Sequence, residues 1–342
     1  MKAAVLYQPG DLLITDFAEP LLAEDGVKIA VSYCGICGTD FHKFAGKVGS
    51  RPVTYPVPLG HEVSGIVTEV GAKVTDFKPG DRVTVDPNWS CGHCWYCQNG
   101  KSHLCSNSRG VVKGMAEFIC PPQENVYHLP DGLSLRDAAL TEPLACCLHG
   151  VDQLDVQLGE TVAIVGFGAI GQLMLQLLHQ SAAANIVIIE PNEDSRQLAM
   201  DMGATWFINP NAGDIADELN KLGVPHTEKV IECAGLSVTA QTAVNIAGRG
   251  ATVVLFGVSD PESIVSLQQY DLFWKELTIK TSYINPYTTG RAIELLHRKA
   301  VDSKRAIKKV IELEDVPEEI KSRHFSRQGK VLVRINAAPE DV

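Results

Sequence analysis

The sequence lacks the features that would place it in a membrane or on a nucleic acid. It contains no apolar stretch of about 18 residues, so a transmembrane helix is not expected. Pro9, Gly10 and Asp11 come before any apolar run can form, which argues against a signal peptide. Asp and Glu outnumber Lys and Arg, 41 to 30, for a net charge of −11. That balance argues against nucleic acid or an anionic membrane as a partner. We expect a small-molecule substrate and a cytoplasmic location.

Internal repeats and low-complexity segments are also missing, and the length suffices for two domains with sizeable cores. Between about residues 155 and 260, short apolar segments alternate with segments of helical spacing. The first of them predict a strand over 161–166, a helix over 169–182, a strand over 185–190 and a helix over 194–204. Strands that alternate with helices of about ten residues are typical of a doubly wound parallel sheet.

Residues 1 to about 150 have a different pattern. Short β-like segments such as VKIAVSYCG and VSGIVTEVG are separated by Gly, Pro and Asp turns, which predicts an antiparallel, β-rich domain. After residue 285 the pattern predicts a helix over 291–300, a helical segment over 316–324 and a final strand over 330–335. The predicted fold class is therefore α/β. The expected domains are 1–152, 153–285 and 286–342.

Four of the ten cysteines lie in the segment CGHCWYCQNGKSHLC, as Cys91, Cys94, Cys97 and Cys105. In a reducing compartment, clustered cysteines are more often metal ligands than disulfides. Two-residue gaps let neighbouring thiolates point at one centre, and four cysteines fill a tetrahedral zinc site and leave no position for substrate. We therefore expect a structural zinc, with a disulfide pair or buried thiols without metal as the alternatives. A thioredoxin-type motif is disfavoured because a strand–CxxC–helix context is missing.

The segment GFGAIG is a G-x-G-x-x-G motif that follows a predicted strand and opens a predicted helix, which is the context of a dinucleotide-binding turn. Its glycines allow the tight turn, the approach of a pyrophosphate to the backbone, and close packing of helix on strand. Glu190 ends the next strand, where a carboxylate accepts ribose hydroxyls and repels a 2′-phosphate, so NAD is favoured over NADP. Arg196 nearby favours the opposite, and a glycine-rich structural turn is the alternative. The expected cofactor-binding residues are Gly166, Gly168, Ile170, Gly171, Glu190 and Arg196.

Three further polar residues could bind a second, working metal. Cys37 lies in CGICGTDFH, and His61 and Glu62 lie in LGHEVSG. Together they offer the sulfur, nitrogen and oxygen donors of a zinc site. Adjacent side chains face opposite sides of a regular strand, so the backbone must turn at Gly60 if both are to reach one ion.

Glu142, in the segment LTEPLAC, could supply a fourth donor to this site. Pro143 follows it, and the residue before a proline favours an extended conformation. We therefore expect Glu142 in an extended segment. For all of these candidate ligands, spacing alone leaves solvated or core-satisfied side chains as the alternative.

These motifs resemble a known family. CGICGTDFH, LGHEVSGIV, the four-cysteine segment, LTEPLACCLHG and GFGAIG with Glu190 make the chain similar, over essentially its whole length, to zinc-dependent medium-chain dehydrogenases of the polyol (sorbitol-like) and threonine dehydrogenase branch. The resemblance implies a GroES-like first domain, onto which the C-terminal segment folds back, and a Rossmann domain for NAD. It also implies that Cys37, His61 and Glu62 lie on or near a catalytic zinc, with Glu142 as a direct or water-mediated ligand.

The mechanism that the resemblance implies needs a route for a proton. Zinc acidifies the alcohol, the dinucleotide accepts the hydride, and the proton must leave a buried site. Thr39 lies two residues after Cys37, and His42 is at the position of the family's relay histidine. We expect a path from Thr39 through the cofactor ribose to His42, with a turn-forming threonine and an exposed histidine as the alternatives. Asp40 is expected to hold this loop by backbone hydrogen bonds rather than to react.

The substrate is less constrained. The resemblance favours a secondary alcohol within a polyol, with threonine or a short diol as the alternatives. Sorbitol dehydrogenases of the family carry an Arg-Tyr pair where ungapped alignment places Ile284 and Asn285, which argues against sorbitol itself. The segment 108–118 also lacks the family's usual Asp-Gly-Gly.

Three basic residues bear on the charge of the substrate. Lys43, Arg51 and Lys113 could attract an anionic substrate such as a sugar-alcohol phosphate, or could be ordinary solvated charges. An inactive structural or binding relative is a possibility of a different class, which the retained ligand set, relay pair and glycines disfavour.

A homotetramer or homodimer is expected from the resemblance, with VVLFGV and YDLFWKELTIKTSY as segments that could pair sheets across a two-fold axis.

Overall fold

The computed structural model describes residues 1–49, 51–224, 226–322 and 329–338. The chain forms two compact units, one from Met1–Ala145 with Asn285–Val342 and the other from Cys146–Ile284. The domain limits expected at residues 152 and 285 stay predictions.

The strands of the described residues are, in chain order, β1 (Lys2–Gln8), β2 (Asp11–Asp16), β3 (Val27–Gly35), β4 (Val57–Pro58), β5 (Glu62–Val70), β6 (Arg82–Val85), β7 (Asn88–Trp89), β8 (Arg109–Gly110), β9 (Phe118–Ile119), β10 (Val126–His128), β11 (Thr161–Val165), β12 (Asn185–Ile189), β13 (Trp206–Ile208), β14 (Lys229–Glu232), β15 (Thr252–Leu255), β16 (Thr278–Thr281), β17 (Ile307–Glu312) and β18 (Lys330–Arg334).

The α-helices of the same residues are α1 (Gly38–Phe44), α2 (Trp95–Gln98), α3 (Leu135–Ala138), α4 (Thr141–Leu154), α5 (Ala169–His179), α6 (Arg196–Asp201), α7 (Ile215–Lys221), α8 (Ser237–Ile246), α9 (Gln269–Lys275), α10 (Thr289–His297), α11 (Ser303–Ala306) and α12 (Val316–Ser322). Short 3₁₀ turns lie at Ser102–Leu104, Gln123–Asn125, Glu193–Ser195 and Leu313–Asp315. Across the described ranges, no helix combines the length and the apolar character needed to cross a membrane.

The first unit is built mainly on antiparallel pairing. Its larger sheet has the order β10–β6–β5–β3–β18–β17, with β9 beside β3, and a smaller sheet has the order β2–β1–β4. β3 pairs antiparallel with β5, and β5 with β6, whereas β17 and β18 are parallel. Alternating apolar side chains of these strands, such as Ile29, Val31, Val63 and Val67, form one buried core. The predicted antiparallel, β-rich domain is confirmed.

The last described strand completes a sheet that the first part of the chain begins. β18 lies antiparallel to β3, with Leu332 opposite Gly35 and Val333 opposite Cys34. The predicted helix over 291–300 is observed as α10, and the predicted final strand is β18. The segment predicted over 316–324 is helical in α12, and its last two residues lie outside the described part of the chain.

The second unit contains one parallel sheet in the order β13–β12–β11–β14–β15–β16. The chain builds outward from β11 in one direction and then returns to build from β14 in the other. The carboxyl ends of β11 and β14 therefore form a topological switch point, where open parallel sheets bind ligands. The predicted alternation is confirmed, although the helix expected over 169–182 ends at His179 and the one expected over 194–204 is a 3₁₀ turn followed by α6.

Candidate active site and metal centres

The turn that carries Cys37 is fixed by the buried carboxylate of Asp40. Cys37 is the N-cap of α1. The Cys37 N–H donates a hydrogen bond to Asp40 Oδ2 at 3.0 Å, and the Gly60 N–H donates one to Asp40 Oδ1 at 3.0 Å. Asp40 is 0% exposed, so these hydrogen bonds replace those that its carboxylate would make to water. They also hold the turn with Cys37 and the turn with His61 side by side. The predicted role of Asp40 in holding this loop is confirmed.

The backbone turns at Gly60, as predicted from the adjacent His and Glu. Gly60 has φ of +85°, a conformation that side chains disfavour. A Cβ at this position would lie 2.6 Å from Cys34 Sγ and 2.8 Å from the backbone nitrogen of Met115. The turn leaves His61 just outside β5, while Glu62 is its first residue.

This turn brings three donor atoms together. The ligand atoms of Cys37, His61 and Glu62 all lie within 4.8 Å of one another. Glu62 Oε2 is buried and receives no hydrogen bond from the described residues. Burial, together with the charge of Glu62, raises the pKa of Cys37 to about 11. A divalent cation would satisfy the oxygen and stabilise the thiolate, so this donor set fits zinc.

Glu142 does not have the extended conformation expected from Pro143, and that prediction is wrong. Glu142 lies in the first turn of α4. Pro143 is tolerated there because the N–H groups of a first helical turn have no partner within the helix. Burial, opposed by the charge of His61 and reinforced by that of Glu62, raises the pKa of Glu142 to about 8. The charges of the site therefore influence the pKa of Glu142, but Glu142 lies outside the cluster of three close donors. Its role as a zinc ligand stays a prediction.

Lys330 is a site residue that sequence reasoning missed. It is 3% exposed and opens β18. Its Nζ donates to Glu62 Oε1 at 2.5 Å and to the carbonyl oxygen of Ile36 at 3.0 Å. Burial lowers the pKa of Lys330, but the negative charges of Glu62 and Cys37 and the hydrogen bond to Glu62 raise it above the ordinary lysine value. The only sequence signal was a lysine at the start of an otherwise apolar strand.

The four-cysteine segment forms a compact sulfur cluster. Cys94 Sγ lies 3.5 Å from Cys97 Sγ and 3.8 Å from Cys105 Sγ, and Cys105 Sγ lies 3.5 Å from Cys91 Sγ. A tetrahedral ion with Zn–S bonds of about 2.3 Å requires sulfur-to-sulfur edges of about 3.8 Å. None of the ten cysteines forms a disulfide, so the geometry fits a four-coordinate zinc better than a staple.

Backbone groups favour thiolates in this cluster. The N–H groups of Cys91 and Asn107 each donate to Cys105 Sγ at 3.3 Å. A hydrogen bond from the His93 backbone lowers the pKa of Cys91 to about 6, whereas burial and the neighbouring Cys94 raise that of Cys97 to about 11. Thiolates this close together repel one another unless a shared cation binds them. A site in which cysteines fill all four positions is typical of structural zinc.

The glycine motif lies between β11 and α5. Gly166 has φ of +96°, and Gly168 is the N-cap of α5. A Cβ on Gly171 would lie 2.1 Å from the Gly166 carbonyl oxygen, so this position accepts only glycine. The first N–H groups of α5, including that of Ile170, have no partner within the helix. This cradle suits a pyrophosphate.

The two residues expected near the ribose have different surroundings. Glu190 follows β12, and its carboxylate accepts hydrogen bonds from the N–H groups of Phe167 at 2.8 Å and Asn192 at 2.9 Å. Arg196 forms an ion pair with Glu193 and donates from Nη1 to the Phe207 carbonyl oxygen at 2.9 Å. Two of its five N–H donors are thus engaged within the second unit. The predicted cofactor role of Arg196 has no direct support in this arrangement.

Glu232 is a second residue that sequence reasoning missed. It is 1% exposed at the carboxyl end of β14. Its Oε1 accepts hydrogen bonds from the N–H groups of Ala234 at 2.7 Å and Gly235 at 2.8 Å and from Thr239 Oγ1 at 2.6 Å. A Cβ on Gly166 would lie 3.1 Å from Ala234 Cβ. Glu232 therefore fixes the loop that packs against the glycine motif.

Thr39 and His42 lie on one face of α1. Both lie near Gly49, where an added Cβ would be 3.4 Å from Thr39 Cγ2 and 3.5 Å from His42 Cβ. Thr39 is 9% exposed, and His42 is half-buried. Residues three apart on a helix are neighbours, so the two candidates for a proton relay are adjacent.

Comparison with known proteins matches both units. Residues 23–131 match the alcohol dehydrogenase GroES-like domain, and residues 169–298 match the zinc-binding dehydrogenase domain. A sorbitol dehydrogenase of Halalkalibacterium halodurans is 33% identical over 90% of this chain and 91% of its own length. A D-arabitol-phosphate dehydrogenase of Enterococcus avium is 31% identical over 100% of this chain and 99% of its own. The structure of a zinc-binding dehydrogenase from Sinorhizobium meliloti bound to NADP is 37% identical, with a TM-score of 0.91 over 97% of this chain and 98% of that one.

A dinucleotide cradle combined with a sulfur, nitrogen and oxygen donor set defines an oxidoreductase that uses a nicotinamide cofactor and zinc. The chain belongs to the zinc-dependent medium-chain alcohol dehydrogenase family. The predicted GroES-like and Rossmann folds, enzyme class and cofactors are confirmed.

Replacing Lys330 tests the buried ion pair. In zinc-free protein, Lys330→Met removes the cation and leaves Glu62 as an uncompensated buried charge, so we expect the free energy of unfolding to fall by about 3–5 kcal/mol. Lys2→Met, which breaks an exposed pair with Glu314, should have little effect. Denaturant unfolding measures both changes, and the double variant Lys330→Met/Glu62→Gln should recover much of the loss. A single variant as stable as the parent would contradict an ionic pair.

Two cysteine variants separate the metal sites. Cys37→Ser should remove one of about two zinc ions per chain and abolish turnover while leaving the melting temperature nearly unchanged. Cys94→Ser should remove the other ion and lower the melting temperature, because the four cysteines hold α2 and the Ser102–Leu104 turn together. Metal content, activity and thermal unfolding of the same samples provide the comparison. A Cys94→Ser protein with an unchanged melting temperature and full activity would argue against the structural ion.

Proposed function

We propose that the protein reversibly oxidises a secondary alcohol of a polyol, either a sugar alcohol or its phosphate, to a ketone with NAD as the hydride acceptor. The observation that carries this proposal is the cluster of Cys37, His61 and Glu62 in a chain that also has a dinucleotide cradle. Three donors of different types leave a fourth position for an alcohol oxygen. The relatives named for sorbitol and for D-arabitol phosphate support a polyol as the substrate.

In this proposal residues 1–152 and 286–342 form the catalytic domain and residues 153–285 bind NAD. When bound, zinc acts as a Lewis acid toward the alcohol oxygen, and the dinucleotide accepts the hydride from the alcohol carbon. Cys37, His61 and Glu62 hold the metal, and Glu142 is a direct or water-mediated ligand.

Thr39 and His42 are the proposed route for the substrate proton. Thr39 Oγ1 would accept the proton of the substrate hydroxyl while donating its own proton onward, and His42 would release a proton to solvent. With the dinucleotide bound, its ribose hydroxyls would supply the link between the two side chains. This proposal is supported by their shared face on α1. It is also supported by their burial, because Thr39 is buried whereas His42 is half-buried and closer to solvent. A hydroxyl both donates and accepts, so Thr39 can act without becoming charged.

Asn285 supports a polyol other than sorbitol. It is 2% exposed, its Oδ1 accepts from Asn88 Nδ2 at 2.7 Å, and its Nδ2 donates to Thr289 Oγ1 at 3.2 Å. Both ends of the amide are therefore engaged within the first unit. Ile284 beside it has no polar side chain. Neither residue offers what an Arg-Tyr pair would offer to sorbitol.

We also propose that the chain works as a homo-oligomer in the cytoplasm. Tyr270, Phe273 and Trp274 of α9 are 65%, 78% and 56% exposed, and the adjacent β16 ends the described sheet. An apolar patch beside a sheet edge suits pairing with a second copy. Ten cysteines without a disulfide suit a reducing compartment.

Light scattering measures the assembly's mass, and the mass of a single chain would contradict oligomerisation.

The function is tested by assaying polyols, polyol phosphates, threonine and short diols with NAD and with NADP. We expect turnover of polyols of one stereochemical class, with a preference for NAD, in protein that carries about two zinc ions per chain. The absorbance of the reduced cofactor and the metal content of the same sample are the measurements. Turnover of threonine or diols alone would replace the polyol assignment, and two zinc ions without any turnover would contradict the function.

The preference for NAD is proposed to depend on Glu190 and on the pairing of Arg196 with Glu193. Glu193→Gln removes the carboxylate charge that offsets Arg196, so kcat/KM for NADP should rise by up to about fivefold, the range for an exposed pair, with little change for NAD. Glu218→Gln, which alters a similarly spaced pair with Lys221 in α7, is the matched control. Equal changes for the two cofactors would contradict the proposal.

A further inference from the structure

Arg51 has a charged group that the described residues leave without a partner. Both terminal nitrogens, Nη1 and Nη2, are buried and form no hydrogen bond with any described residue. The guanidinium remains ionised at any pH that a protein survives. Burying a charge without a partner costs several kcal/mol. An anion from outside the described chain is the natural complement.

The loop that carries Arg51 is attached to the helix of the proposed proton relay. The Lys47 N–H donates to the carbonyl oxygen of His42 at 2.8 Å, and Gly49 lies near both Thr39 and His42, since an added Cβ would touch each of them. Arg51 follows Gly49 by two residues, so their Cα atoms are at most about 7 Å apart. The Cα of Arg51 therefore lies close to that of Gly49, the residue next to the face of α1 that bears the relay.

The far side of the loop is attached as well. Tyr55 Oη donates to the carbonyl oxygen of Lys43 at 3.4 Å, and the side chains of Val53 and Tyr55 pack against the buried core of the first unit. Described residues on both sides of Arg51 are therefore attached to α1 or to the core. Such preorganisation favours ligand binding.

The local charge also suits an anion. No Asp or Glu occurs from residue 41 to residue 61, whereas Lys43, Lys47 and Arg51 fall within nine residues of one another in a chain of net charge −11. The planar fork of an arginine matches phosphate or carboxylate with two parallel hydrogen bonds.

We propose that Arg51 is a specificity-determining residue that binds an anionic group, phosphate or carboxylate, carried by the polyol chain of the substrate. This inference rests on the proposed polyol dehydrogenase function and narrows its substrate to an acidic polyol derivative. The phosphates of the dinucleotide are the other source of the same chemistry, and the test separates the two.

The test compares D-arabitol phosphate with D-arabitol as substrates of the zinc-loaded enzyme. Arg51→Gln should lower the ratio of their kcat/KM values by about 10- to 100-fold, the range for losing hydrogen bonds to a charged group. Arg51→Lys keeps the charge but not the fork, so its ratio should lie between those of the parent and Arg51→Gln. Lys47→Gln removes the same charge from an exposed side chain of the same loop and should change the ratio by less than about threefold.

Binding provides a readout that does not need turnover. Calorimetric titration of D-arabitol phosphate and of D-arabinonate into the complex with NADH should show weaker binding to Arg51→Gln by a similar factor, and the two ligands distinguish phosphate from carboxylate. Fluorescence titration of NADH alone should give similar affinities for the parent and the variant.

The outcomes separate this inference from the function on which it rests. Equal losses for D-arabitol and its phosphate, or weaker NADH binding with an unchanged substrate ratio, would overturn the assignment; the second result would assign Arg51 to the dinucleotide phosphates. If the parent enzyme oxidises no alcohol, the proposed function fails and the titrations decide the anion site. A parent protein that binds neither anion would overturn the inference.

Discussion

The buried ion pair between Lys330 and Glu62 is the contact on which the first unit most depends. It joins residues 268 positions apart, and removing one partner of a buried pair leaves a charge whose burial costs several kcal/mol. The pair therefore favours the alignment that puts β18 against β3. Lys330 also donates to the carbonyl oxygen of Ile36, one residue before Cys37. The cation that helps to close the sheet also sets the charge around the donor cluster, so fold and site share one interaction.

Carboxylates that accept hydrogen bonds from backbone N–H groups position loops in both units. Asp40 accepts hydrogen bonds from the N–H groups of Cys37 and Gly60. Glu232 accepts them from Ala234 and Gly235. Glu190 accepts them from Phe167 and Asn192. Every residue except proline has a backbone N–H, whatever its side chain. Each carboxylate can therefore fix the path of a loop while the side chains of that loop stay available for chemistry. Hydrogen bonds to an ionised acceptor are stronger than neutral ones, which suits loops that lack a regular ladder.

Local patterns in the sequence were enough to predict much of the architecture and the two donor clusters. The four cysteines, the turn at Gly60 and the glycine motif with its strand and helix are set by neighbours within a few residues, and each is observed. Glu142 was placed wrongly because a proline in the first turn of a helix loses no hydrogen bond, a context that the dipeptide does not reveal. Lys330 and Glu232 were missed because their partners are defined by strand pairing and loop packing, which a linear pattern does not encode.

The charge distribution of this acidic chain is compatible with the anionic substrate that we propose. A net charge of −11 would repel an anion at long range, but salt at physiological strength screens exposed charges beyond about 8 Å. The segment from 41 to 61 contains no Asp or Glu, although the buried carboxylates of Asp40 and Glu62 flank it. Its one buried guanidinium is screened far less than the surrounding surface charges, so an anion that reaches the loop interacts mainly with Arg51 rather than with the chain as a whole. Overall acidity then limits nonspecific anion binding without weakening recognition at that residue.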